Sequence, residues 1–174
     1  MPAVTRPAGG GLFVLARALT FASLFIAFVL VFVPARLLQS SGIGALPAWG
    51  IAQVIGVVLV FAGGALAIWC VLAFATLGRG TPAPFDPPRL LVVRGPYKFV
   101  RNPMYLGASA ALAGAALFYE SWSLLAYLVA FALAMHAFVI WYEEPTLTRT
   151  FGADYTAYRA TVHRWLPTWR GRPG

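Results

Sequence analysis

Charge is what this sequence has least of: five Asp and Glu and thirteen Lys and Arg make only 10% of the 174 residues, whereas 60% are hydrophobic. Soluble domains carry roughly 25% charged residues. A water-facing fold of this size could not cover its surface with so few. Cysteine is nearly absent as well. Cys70 stands alone inside an apolar run, which excludes an intrachain disulfide and a cysteine-based metal centre. Neither the cysteine nor the second histidine is spaced to share a metal with His136, so no metal is expected. The net charge of +8 would suit nucleic acid only if the basic residues formed an exposed stripe. They instead fill the gaps between apolar runs, the pattern of a membrane topology, and nucleic acid is not the expected partner.

What is present is four apolar runs. A helix needs about 20 apolar residues to cross a hydrocarbon core of about 30 Å. Residues 12–33 form one run, interrupted near its start by Arg17, whose side chain can snorkel to the interface. The run is too long for a signal-peptide core and no small-x-small cleavage site follows, so a retained helix is expected. Residues 49–77 carry no charge, residues 104–119 are rich in Ala and Gly, and residues 121–142 follow after a turn at Glu120. Gly107, Ala111 and Ala115 recur every fourth residue and offer a smooth strip for close helix contact. The fold class expected is all-α and integral to the membrane, a single domain over 1–174 with four transmembrane helices, a proline-rich loop at 78–103 and a tail at 143–174.

Charge placement orients it. Arg79, Arg89, Arg94, Lys98 and Arg101 lie in the loop; Arg149, Arg159, Arg164, Arg170 and Arg172 lie in the tail; the Glu120 turn has none. Positive residues stay cytoplasmic, which puts both termini and the loop on that side. The richness in Ala, Gly, Arg and Pro points to a bacterial source and hence the cell membrane.

The loop holds six prolines, which favour an extended, stiff path. Its Phe85, Leu90, Leu91, Val92, Val93, Tyr97, Phe99 and Val100 need burial, so an ordered loop on the cytoplasmic helix ends is expected. In the tail, Leu147, Phe151, Tyr155, Tyr158, Val162 and Trp165 recur every three or four residues, with charges on the other faces. That predicts an amphipathic helix, broken near Gly152 and stopped before Pro167, which either lies on the membrane or walls a site. Glu143 and Glu144 end the fourth run. Acids at a membrane edge are functional candidates, or else face water or pair with loop arginines. His136 is expected to be a hydrogen-bonded packing residue.

The string GPYKFVRNPMYLG, followed after a helical hairpin by EEPTLTRTFGADYTAYRATVHRWLP, resembles the isoprenylcysteine carboxyl methyltransferases and their bacterial relatives. NPMY with the later YEEP also resembles the phosphatidylethanolamine N-methyltransferases. The resemblance covers residues 89–167. It implies an S-adenosylmethionine-dependent methyltransferase acting on a lipid or other lipophilic acceptor, with the cofactor at the cytoplasmic face. By this resemblance the backbone of Arg89, Leu90, Leu91 and Val92 lines the cofactor, with Tyr97, Asn102, Pro103, Met104 and Tyr105. Glu143 would accept the ribose hydroxyls, tyrosine faces would attract the sulfonium, and Tyr155 and Tyr158 would close the pocket by packing. Glu144 would take a proton from an amine or thiol acceptor. Asn102 stands where the prenylcysteine enzymes usually have His, and Val139 where they have an arginine for the substrate carboxylate. Without that arginine a prenylcysteine carboxylate would be poorly held, and the Asn form matches the phospholipid enzymes instead. Two other readings remain in view: an NADPH-dependent membrane reductase of related architecture, for which the chain is short, and a non-catalytic membrane subunit or small transporter.

Overall fold

The computed structural model describes residues 20, 23–24, 26–43, 46–73 and 91–168. Every regular element among them is helical. We label them α1 (Ala27–Ser40), α2 (Ile51–Ala73), α3 (Pro103–Phe118), α4 (Trp122–Phe138) and α5 (Glu144–Thr161). A single 3₁₀ turn, Gly95–Lys98, precedes α3, and a π turn, Val139–Glu143, joins α4 to α5 in one long rod, Trp122–Thr161, that is kinked at Gly152.

α2 and α3 run antiparallel and approach closely, because glycines meet glycines. A Cβ on Gly56 would stand 2.7 Å from the Gly114 carbonyl oxygen, and one on Gly107 would stand 2.8 Å from that of Gly63. Those distances leave room for hydrogen only, so the backbones touch, as small residues permit in membrane helices. On α3, Gly107 and Ala111 of the four-residue repeat lie at the close approach, and Gly114, outside that repeat, joins them. The seven-residue spacing of Gly56 and Gly63 matches that of Gly107 and Gly114, and the sequence repeat read on α3 alone could not show it. Gly63→Ala would drive its Cβ into the Gly107 carbonyl and to 2.7 Å from the Ala111 nitrogen. Overpacking of this kind costs about 1–3 kcal/mol. Unfolding in detergent should register that loss, and an unchanged midpoint would mean the two helices separate freely.

Gln53, buried on α2, secures the far end of this pair. Its amide donates to the Phe118 carbonyl at 3.2 Å and to Glu120 Oε1 at 2.9 Å, serving a carbonyl that the end of α3 leaves open. Glu120 has a positive φ of 48°, and Ser121 caps α4 by accepting from the Leu124 amide.

α1 packs Val29 against Ala108, Leu112 and Phe131. It runs on to Ser40, past the expected end at residue 33, with Pro34 inside it. The proline is tolerated because the preceding turn, Ala27–Phe32, is π-helical, and Tyr127 donates its hydroxyl to the Val29 carbonyl at 3.2 Å.

α2 and the Trp122–Thr161 rod are long and apolar enough to cross a membrane. Their outer faces are not covered: Ile51, Phe61, Leu133 and Trp141 are all exposed. Contiguous apolar surface of this extent demands lipid or protein cover.

Candidate active site

Polar and aromatic side chains gather at the end of the bundle where α2 finishes, α3 begins and α4 passes into α5. The loop reaches it through Val92 and Tyr97, which pack with Cys70 and Ala73 of α2 and with Met104. The Tyr97 hydroxyl engages the Cys70 thiol. Burial, then the adjacent Cys70, pushes that hydroxyl well above its ordinary range, so it stays protonated.

The tail closes over the loop. Gly152, at φ 51° and ψ −119°, breaks α5 where the sequence places a break, and the conformation is one only glycine adopts easily. Beyond it Tyr155, Tyr158 and Val162 bury against Leu91 and Val93. The Tyr158 hydroxyl donates to the Tyr97 carbonyl at 2.7 Å. The Arg101 amide donates to the His163 carbonyl at 2.9 Å, and the Thr168 amide donates to the Phe99 carbonyl at 2.7 Å. Asn102, buried just before α3, donates from Nδ2 to the Arg164 carbonyl at 3.2 Å. Trp165 donates from its indole to His136 Nδ1 at 3.0 Å. His136 is therefore a hydrogen-bonded partner of the tail.

The two adjacent acids face different neighbours. Glu143 Oε2 accepts from the Tyr105 hydroxyl at 3.0 Å, joining the two sequence motifs across 38 residues. Its other oxygen accepts no hydrogen bond among the described residues. Glu144 is buried and receives Arg164 in a fork, Nε to Oε1 at 2.7 Å and Nη2 to Oε2 at 2.9 Å. Arg101 Nη1 also lies 2.9 Å from Glu144 Oε1. The Glu144 contact holds the Arg164 guanidinium above its ordinary range. Adjacent residues on a helix point about 100° apart, which sends the two acids to different neighbours where the π turn Val139–Glu143 passes into α5.

Of the sequence-expected residues, Tyr105 and Glu143 meet directly, Tyr97 and Met104 share one cluster, and Asn102 and Pro103 stand between that cluster and the tail. Leu91 packs under the tail tyrosines and Val92 under α2. Arg89 and Leu90 lie outside the described residues. The pairing of an acid with a loop arginine, one of the readings of Glu143 and Glu144, is seen between Arg101 and Glu144, whereas the tail's Arg164 is not expected there. For Arg101 the signal was available, since it directly precedes Asn102 in the RNPMY motif.

The sequence signature of the phospholipid methyltransferases matches residues 51–154, more than half of the chain, from the start of α2 into α5. The chain belongs to the phospholipid methyltransferase family. Membership implies a methyl-transferring enzyme and fits an apolar, membrane-associated helical fold. The match brackets both motif halves, Asn102 to Tyr105 and Glu143 to Glu144. No curated protein and no solved structure matches the chain.

Proposed function

We propose that this member of the phospholipid methyltransferase family is an integral membrane enzyme that transfers a methyl group from S-adenosylmethionine to a lipophilic acceptor, foremost the amine of a phospholipid. The observation that carries the reading is the hydrogen bond from Tyr105 to Glu143, which brings residues of both motifs to one point beside the loop. Four transmembrane helices, with the loop, tail and both termini cytoplasmic, put that point at the inner rim of the bilayer of a bacterial cell. There a soluble donor arrives from one side and a lipid from the other. The apolar outer faces of α2 and the long rod, and the basic loop and tail, support that arrangement.

The residues present fit the cofactor. Glu143 has one carboxylate oxygen pinned by Tyr105 and a second that accepts nothing among the described residues, which suits a pair of ribose hydroxyls. Tyr97 and Tyr105 would offer ring faces to a sulfonium. The backbone of Arg89, Leu90, Leu91 and Val92, with Asn102, Pro103 and Met104, would complete the wall. S-adenosylmethionine, when bound, supplies a methyl group already activated by the sulfonium. The protein then has to align acceptor and donor and exclude water. Asn102 contributes by tying the tail down over the site, through its bond to the Arg164 carbonyl. Glu144, ionised between two guanidiniums, is a weak proton acceptor, and its part is to hold loop and tail together. Val139 is fully buried, and no cation stands there to receive a prenylcysteine carboxylate, which favours a phospholipid acceptor.

A thermal-shift comparison in detergent tests the reading. S-adenosylmethionine should raise the midpoint and NADPH should not. Silence with the methyl donor would overturn it, and a shift with NADPH alone would transfer it to a reductase.

A further inference from the structure

At the loop–tail junction two guanidiniums share one carboxylate. Arg164 takes both oxygens of Glu144 in a fork, leaving Arg101 a lateral approach to Oε1 at 2.9 Å. The Arg101 side chain is only 10% exposed. Tyr155 engages it, yet Nε and Nη1 have no hydrogen-bond acceptor among the described residues. Arg159 adds to the positive field around Glu144, while Glu143, the neighbouring acid, is turned to Tyr105. Two guanidiniums thus share the Glu144 carboxylate, and Arg101 Nη1, though ion-paired to it, makes no well-aligned hydrogen bond among the described residues, nor does Nε. Buried donors are normally satisfied, and those of Arg101 are satisfied only in part.

We infer that Arg101, backed by Arg164, is the anchor of an oxyanion seat, and that a ligand carboxylate or phosphodiester completes it. The inference rests on the methyltransferase reading, which offers two such groups: the methionine carboxylate of the donor and the phosphodiester of a phospholipid acceptor. A guanidinium matches the planar or forked oxygens of either. The position suits both, since Arg101 directly precedes Asn102 in the chain. Water does not reach Nε or Nη1, so an oxyanion there is weakly screened.

The test uses the full chain in uncharged detergent, with S-adenosylmethionine and its decarboxylated form as paired probes and a short-chain phosphatidylethanolamine as a third. If the seat takes the donor carboxylate, the wild type binds the decarboxylated form about ten- to a hundredfold more weakly. Arg101→Gln then erases that difference and Arg101→Lys retains part of it. If the seat takes the phosphodiester, the two donors bind alike, and the phosphatidylethanolamine stabilises the wild type but not Arg101→Gln. Where the Gln variant does not fold, Arg101→Lys serves. It keeps the charge but loses the planar donors, so it should weaken the same probe by about tenfold. A wild type that binds S-adenosylmethionine without discriminating against the decarboxylated form, and gains nothing from the lipid, overturns the seat and leaves the proposed function standing. A wild type that binds neither donor overturns the proposed function, and the lipid arm then decides the seat alone.

Discussion

Glu143→Gln should lower the affinity for S-adenosylmethionine by about ten- to a hundredfold, the range for losing hydrogen bonds to a charged acceptor. The fold should survive the change. Tyr105 donates to Glu143 Oε2 at 3.0 Å, and the amide oxygen of glutamine accepts the same bond in nearly the same shape. What disappears is the second acceptor, the oxygen that accepts nothing among the described residues. Calorimetry on the purified variant separates the two effects. Full donor affinity would show that the ribose is not held there, and a collapsed melting midpoint would show that the carboxylate is structural.

Glu144→Ala should do the opposite. The carboxylate is buried, with Arg164 forked on it and Arg101 2.9 Å away, so its removal leaves two guanidiniums facing one another. Breaking a buried pair by deleting one partner costs about 3–5 kcal/mol. The lower end applies, because the Arg164 side chain is 28% exposed and water relieves part of its charge. Chemical unfolding in detergent reads the loss. Limited proteolysis should find the tail beyond Thr161 cut first, since Arg164 and the Asn102 contact hold it against the loop. A change under about 1 kcal/mol would mean the cluster is a solvated surface pair. The two acids are neighbours in the chain, yet one should fail in binding and the other in stability.

Much of this was legible from residue order. The 104–119 and 121–142 runs appear as α3 at Pro103–Phe118 and as α4 from Trp122, because a long apolar run bounded by Pro103 and by Ser121 leaves a helix few other limits. The Gly152 break was readable for a similar local reason. The tail's apolar period was readable too, and Leu147, Phe151, Tyr155, Tyr158 and Val162 do form one cluster. The π turn at Val139–Glu143 was not. Nothing in VIWYE breaks the helical pattern, and the extra residue is accommodated by packing, not by propensity. A loop arginine on one of the acids was readable, but the fork of Arg164 on the same Glu144 was not, because counting charges for topology treats each as an independent unit.

The sequence by itself determined the helical class, the apolar character and the two motif strings that give the family its signature. Periodicity and composition are local properties and need no partner to be read. Only the tertiary structure decided which acid meets Tyr105 and which meets the arginines. That choice depends on how the long helical segment carrying both acids is turned toward α3 and the tail, and on glycine contacts that fix how α3 lies along α2. Both are products of packing between segments distant in the chain, and no window of neighbouring residues contains them.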